Sequence, residues 1–365
     1  MIDDMKRKIK LFDPFITAKE KRYLLTALKS GHWASGSGSN LVNLFEKKFQ
    51  EYIGAKSCIA VNSGTAALHL ALSVTGISEK EVILPSLTFV STAHAALYNN
   101  GKITFADIEP NTLCMDPDSV RKKITKQTKV ILPVHFGGMP ANLSKLQQLA
   151  NETNATLVDD AAHAAGAKFC GKKIGSWCDL SCFSFHPVKN LAMPTGGLIA
   201  VNHKEHKKIR KTLLSRRWCG ITDREDVDYD IKEIGWNFYM NEFSAAIGLA
   251  QISVLDKINK KRFKVATKFH KEINLERKMP INENAVYHFY WILVKNRKEF
   301  RKKLLQAGIE TGIHYKPIHQ MSMYKNNTRL PVTEKISKEI VTLPTHPNLT
   351  DENVNKIIES VNKFS

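Results

Sequence analysis

Three short stretches hold residue types that could do chemistry together. The first is Asp179–Gly197, DLSCFSFHPVKNLAMPTGG. Its apolar run Leu180–Phe185 reads as a buried strand, and His186-Pro187 ends it, because proline lacks the donor that a strand ladder needs. Lys189 follows, in a turn closed by Pro194, Gly196 and Gly197. A lysine at the mouth of a buried strand loses water, and desolvation lowers its pKa toward that of a nucleophilic amine. The second stretch, Leu157–Asp160, is another apolar run, ending in two carboxylates. The third is Ser63-Gly64-Thr65 before a run of strong helix formers, Thr65 to Ser73. First-turn N–H groups of a helix have no internal partner and, with the helix dipole, bind phosphate. Gly64 allows close backbone approach and Thr65 adds a hydroxyl.

A lysine at one strand mouth, an acid at another and a phosphate-binding helix start suggest a pyridoxal phosphate site. That cofactor needs a lysine to carry it and an acid to keep its pyridine nitrogen protonated. Each residue also has an ordinary reading. Most lysines are solvated, Ser-Gly-Thr is a common helix cap, and Asp160 is placed to cap a helix at Ala161-Ala162, a role compatible with the catalytic one.

The elements that must position these residues follow from the apolar pattern. Short strands are expected at Ser57–Val61, Glu81–Leu84, Ile103–Ala106, Val130–Pro133, Thr156–Val158 and Leu180–Ser184. Helices are expected at 14–30, 41–53, 65–73, 90–99 and 204–214, with residues 236–258 beginning a long one. Between them, 30–41 reads as a Gly/Ser loop and 215–235 as a polar loop. The alternation of strand and helix argues for an α/β fold with a mainly parallel sheet covered on both faces. Ligands then sit at the carboxyl ends of the strands, where Thr65, Asp160 and Lys189 all fall. A large domain is expected over 1–254 and a smaller α+β domain over 255–365. The smaller one has a strand at Tyr287–Val294 and helices at Arg297–Ala307 and Asp351–Asn362.

The 365 residues carry a net charge of +19, and 43% of them are hydrophobic. The lysines are scattered, so the charge reads as solvated helix faces and not as a nucleic-acid footprint. A positive field would still steer a doubly charged substrate. No apolar run is long enough for a membrane helix, and MIDDMKRKIKLF has no signal-peptide pattern. The six cysteines form no C-x-x-C pair, so neither zinc nor a disulfide framework is expected, and a reducing cytoplasmic setting is.

Six motifs then stand in order: NSGTAALHLAL (62–72), ILPSLTFVSTAHAAL (83–97), VDDAAHAAGA (158–167), SFHPVKN (184–190), GWNFYMNEFSAAIGLAQI (235–252) and GIHYKPIH (312–319). Through them nearly the whole chain resembles the DegT/DnrJ/StrS sugar aminotransferases, within the fold-type-I pyridoxal phosphate enzymes. The resemblance implies a fold-type-I architecture. It also implies a ping-pong transfer of an amino group from glutamate to a keto group of a nucleotide-linked sugar, a 4-keto-6-deoxyhexose being common in the family. The cofactor would be pyridoxal 5'-phosphate, passing through pyridoxamine phosphate. Lys189 would carry it and shuttle a proton, and Asp160 would pair with its ring nitrogen. Gly64, Thr65, Ala66 and Ser184 would hold the phosphate, Phe89 would stack on the ring, and His163 would lie near the ring hydroxyl. Asn237 would reach the phosphate of the other subunit, making a homodimer with shared sites. Arg216, Arg217, His314, Tyr315 and His319 are the matching candidates for diphosphate or sugar contacts.

Two departures from the family pattern matter. Tyr239 stands where many relatives have an arginine, so Arg216 or Arg217 would supply that contact. Met193-Pro194-Thr195 replaces a stretch that in relatives often carries an acid. Three alternatives share the fold: a deoxysugar dehydratase, against which Lys189 argues; a non-sugar pyridoxal phosphate enzyme such as a cysteine desulfurase; and a regulatory relative without activity.

Overall fold

The structure is a computed structural model and describes residues 8–365 apart from Ser37, Ser39, Asp226 and Asn326. The first seven residues, on which the reading of the N-terminus rests, and two serines of the Gly/Ser loop therefore lie outside the described residues.

The apolar runs become strands because both their faces are covered. Ser57–Val61 (β1), Glu81–Pro85 (β2), Lys102–Ala106 (β3), Thr128–Ile131 (β4) and Thr156–Asp160 (β5) come first. The two-residue pair Lys168–Phe169 (β6) and Lys172–Lys173 (β7) stands apart, and Leu180–Ser184 (β8) and Gly197–Val201 (β9) follow. The central sheet has seven strands in the order β1-β9-β8-β5-β4-β2-β3. Neighbours from β8 to β3 pair in parallel, whereas β9 is antiparallel to both β8 and β1. The sheet is thus mainly parallel, as the alternation of elements implies. The sequence reading places no strand at Gly197–Val201, yet all five residues are buried and Leu198 pairs with both Ala60 and Phe183.

Strand side chains alternate between faces. Ala60, Ile83, Leu157 and Phe183 enter one apolar core; Ile59, Val82, Val158 and Cys182 enter the other. The alternation decides what the ends of the strands present. Asp160 shares the face of Val158, and its neighbour Asp159 shares that of Leu157.

Local signals set the helix limits. The first described helix is Ala18–Ser30, not 14–30, because Thr17 caps it in a capping box with Glu20. Residues 236–258 do not form one helix. Asn241 caps Glu242–Ile252, whose end is separated from Leu255–Glu272 by Ser253 and Val254. Ahead of that cap the chain is extended, with Asn237 bridged to Trp218 and Tyr239 to Val61. The expected polar loop 215–235 contains the end of helix His206–Arg217 and an exposed hairpin, Ile221–Glu225 (β10) and Asp228–Ile231 (β11). Tyr290–Leu293 (β12) pairs antiparallel with Ile340–Leu343 (β13) in a separate two-stranded sheet. The first described residues lie against this C-terminal part: Ile9 bridges Ile309, and the Phe12 ring stacks on His288 at 5.2 Å.

Candidate active site

The carboxyl ends of β5 and β8, with the starts of helices Gly64–Ser73 and Ser91–Tyr98, enclose a cavity of about 410 Å³. It is lined by Gly64, Thr65, Phe89, Asp160, His163, Ser184, Lys189, His314 and Tyr315 among the residues expected from sequence. These come from five separated stretches, and strand ends bring them together.

Asp160 ends β5 and is buried. Its Oδ2 accepts a hydrogen bond from Thr92 Oγ1 at 2.8 Å, and its Oδ1 one from Ala162 N at 3.1 Å. The second contact closes a turn and not the helix cap read from sequence, because residues 161–167 form turns and no helix follows β5. Burial raises the pKa of Asp160; the Thr92 hydrogen bond opposes this first, then the Ala162 N–H, then the charges of Lys189 and His135. Asp159, on the opposite face, accepts from His135 Nε2 at 2.8 Å, while His135 Nδ1 accepts from Ala141 N at 3.0 Å. That pair is fully buried and does not line the cavity.

Lys189 lies one turn beyond β8 and is partly buried, with its side chain on the cavity. Burial brings its pKa down to about 8, against the pull of Asp160. The next residue, Asn190, faces away and ties the loop down, donating to Asn259 Oδ1 and Val286 O, each at 2.9 Å.

His163 is held neutral, with a pKa far below the usual value because of burial and then Lys189. Its Nδ1 accepts from Gly137 N at 3.3 Å, so the ring proton sits on Nε2 and faces Tyr315 Oη at 3.2 Å. The His163 ring stacks on His288 at 4.4 Å. His314 is held by Thr342 Oγ1 at 2.8 Å, and burial lowers its pKa to about 3. Phe89 is 57% exposed and tilted against Tyr315 at 6.1 Å, which places an aromatic ring at the cavity.

The helix start fits a phosphate. A Cβ on Gly64 would stand 2.6 Å from Ser184 Cβ, and one on Gly197 would stand 2.3 Å from Ser63 O. Two glycines thus let the helix start, the end of β8 and the start of β9 meet in a shallow cradle. Thr65 Oγ1 lies 2.7 Å from Ser91 Oγ at its rim. With a lysine whose pKa is depressed and a buried carboxylate in the same cavity, the donor set suits pyridoxal phosphate.

Several expected residues are engaged elsewhere. Ala66 N–H is taken by the capping Ser63 Oγ at 3.1 Å, so it is not a free phosphate donor. Arg216 donates to Glu233 at 2.8 Å and to Ser73 O at 2.6 Å, and it lines a different cleft with Thr156 and Leu180, at the amino ends of the strands. Arg217 is buried and bonded to Glu46, Ala60 O and Gly36 O. His319 is buried against Ser86 Oγ at 2.6 Å and lies 3.4 Å from Glu334. These three are corrections: long or buried side chains already spent on structure do not serve the cavity. Asn237 is exposed and away from its own chain's cavity, its carbonyl accepting from Asn62. Conversely, sequence reasoning missed Phe12, Ser91, Thr92 and Thr195, which line the cavity, and His288, which stacks on His163. A hydroxyl cluster, T-F-V-S-T (88–92), just before a helix was the one signal available.

This geometry has close relatives. Residues 14–362 match the DegT/DnrJ/EryC1/StrS aminotransferase family. The chain belongs to that family. It is 34% identical to the GDP-perosamine synthase of Escherichia coli O157:H7, covering 98% of each chain. It is 35% identical to the UDP-4-amino-4,6-dideoxy-N-acetyl-beta-L-altrosamine transaminase of Campylobacter jejuni, over 90% of this chain and 92% of that one. The Streptococcus pneumoniae protein Spr1654, solved in PMP and PLP forms, superposes with a TM-score of 0.91 for the PMP form, at 26% identity, covering 98% of this chain and 97% of that one. The protein is therefore a pyridoxal phosphate-dependent enzyme of the sugar aminotransferase type, with the fold-type-I architecture. Among the described residues no helix is long and apolar enough to cross a membrane.

Proposed function

We propose that this aminotransferase moves an amino group from glutamate to the C4 keto group of a nucleotide-linked 6-deoxyhexose, for amino-sugar and polysaccharide biosynthesis. The observation that carries the chemistry is one cavity holding Lys189, Asp160 and a glycine-lined phosphate cradle. The Campylobacter relative's name, with its 4-amino-4,6-dideoxy sugar, supports the choice of position and of the deoxy class. The Bacillus subtilis relative named as a spore coat polysaccharide biosynthesis protein supports the glycan setting.

When bound, pyridoxal phosphate supplies an electron sink. Lys189 would hold it, and its free amine would take up and return a proton at Nζ, a task suited to an amine that is readily neutral. Asp160 would pair with the ring nitrogen. Thr65, Ser184 and the N–H groups of the helix start would hold the phosphate, and Phe89 would cover a ring face. Tyr315, His314 and Phe89 wall the cavity beside Lys189.

The exposed position of Asn237 supports a homodimer in which it reaches the partner's phosphate. Four of the six cysteines are buried and all are free thiols, which supports work in the cytoplasm. Incubation with glutamate and a panel of keto-sugar nucleotides, GDP- and UDP-linked, read by mass spectrometry, tests the substrate. Amination of only 3-keto sugars would reject the proposal. Mixing inactive Lys189→Ala and Asn237→Ala chains tests the shared site. If Asn237 acts across the interface, one site of each mixed dimer carries neither lesion and activity returns.

A further inference from the structure

The Asp160 carboxylate has a neighbour that the chemistry above does not use. Thr92 opens the buried side of helix Ser91–Tyr98, and its hydroxyl has no solvent exposure. Three oxygens lie within hydrogen-bond reach of Thr92 Oγ1: Asp160 Oδ2 at 2.8 Å, Thr88 Oγ1 at 2.9 Å and Phe89 O at 3.0 Å. A hydroxyl has one proton to give. Phe89 O only accepts, and so does an ionised Asp160. While Asp160 is charged, Thr92 gives its proton to the carboxylate, since a charge-assisted hydrogen bond is roughly twice as strong as a neutral one. Thr88 then donates to Thr92. If Asp160 takes up a proton, it can donate to Thr92 Oγ1, and Thr92 turns its own proton to Phe89 O. The arrangement therefore responds to the charge on Asp160, and the ionised state is the one in which the Thr88–Thr92–Asp160 chain runs in a single direction.

We infer that Thr92, backed by Thr88, is the positioning residue that keeps Asp160 ionised and holds it facing the cofactor's ring nitrogen. Oδ2 is held by Thr92 and Oδ1 by Ala162 N, which together oppose rotation of the carboxylate where Asp160 lines the cavity. Other titratable groups also surround Asp160. Lys189, beyond β8, and His135, beyond β4, favour its charge, whereas Tyr315 and Cys182 are acids whose own ionisation it opposes. Among the hydrogen bonds and charges that oppose the effect of burial on Asp160, the Thr92 hydroxyl is the largest.

The inference rests on the reading of Asp160 given above, and the test separates the two. Thr92→Val keeps the shape and removes the hydroxyl; Thr92→Ser keeps the hydroxyl. Cofactor affinity of the apoenzyme is measured by equilibrium dialysis with pyridoxal phosphate from pH 5 to 9, alongside the pH profile of kcat/KM. Thr92→Val is expected to bind cofactor about ten- to a hundredfold more weakly near neutral pH. Its acid limb should move up by about one pH unit, because a carboxylate that loses a donor holds its proton to higher pH. Thr92→Ser should restore both. Thr88→Val should move the limb the same way by less, and it decides the matter if Thr92→Val fails to fold. Unchanged affinity and limb in folded Thr92→Val, or no shift in Thr88→Val when only that variant folds, overturns the inference. So does a Thr92→Ser variant as damaged as Thr92→Val. If Asp160→Asn itself binds cofactor and turns over like wild type, the reading of Asp160 fails. If Asp160→Asn is impaired and Thr92→Val is not, the inference alone fails.

Discussion

Two buried ionic groupings in this molecule have been put to opposite uses. Glu46 and Arg217 meet at 2.9 Å, and the surrounding backbone adds to them: Ala60 N donates to Glu46, and Ala60 O and Gly36 O accept from Arg217. Asp160 and Lys189 are also enclosed, but they are left incomplete. Asp160 has two donors and an open side, and Lys189 Nζ has no hydrogen-bond partner among the described residues. Burial is common to both groupings. The difference is that the members of one pair are bonded directly to each other and to the backbone, with only Arg217 Nε left over, so their charges are locked, while the other keeps charge and proton available to a ligand. Perturbed groups with unfilled valence, and not buried charge as such, mark the active site.

Four changes can break or sharpen this contrast. Lys189→Ala should lower transamination by roughly 10⁴-fold or more while the protein stays folded, as read by turnover and circular dichroism. Retained turnover would detach Lys189 from the chemistry. Glu46→Ala strands the buried Arg217 and should cost about 3–5 kcal/mol of stability, read by urea unfolding, with turnover per folded molecule near wild type. A large loss of turnover without loss of stability would make the structural pair functional. Asp160→Asn should reduce turnover roughly 10²–10³-fold at saturating cofactor and leave the urea midpoint nearly unchanged.

The smallest effect concerns pH. The folded pKa of Lys189 lies below its unfolded value, so in the cofactor-free protein the charged form is disfavoured on folding. This penalty is fully present below about pH 8 and is relieved as pH rises from about 8 toward 10.5. Cofactor-free Lys189→Met should therefore be more stable than wild type at pH 7. We expect a gain of about 1–2 kcal/mol, reduced from the full shift because water reaches the cavity. The advantage should fade between pH 8 and 10.5; a gain that grows with pH would reverse the assignment.

The fold was largely legible because apolar runs at strand length, spaced by helices, admit few other arrangements. The strand Gly197–Val201 was missed because its glycines read as turn, and only its two partners, β8 and β1, reveal it as a strand. The hairpin at 221–231 was missed because polar composition hid the alternation Val227, Tyr229, Ile231. Within the site, Lys189, Asp160, Thr65 and Ser184 could be placed because each ends or follows a recognisable element. Arg216, Arg217 and His319 could not. A long side chain's partner is set by the whole fold, and Glu46 is 171 residues from Arg217.

Sequence by itself therefore determined the strand ends, the helix start and the family of chemistry, since these rest on local patterns of burial, turn and cap. Tertiary structure alone decided which charges are spent and which remain free. It separated Asp159 from Asp160 by strand parity, gave Arg217 to Glu46, and put Thr92 against a carboxylate 68 residues away. The physical reason is that a hydrogen bond or ion pair depends on distance in space, and distance along the chain constrains that only within one turn or one strand.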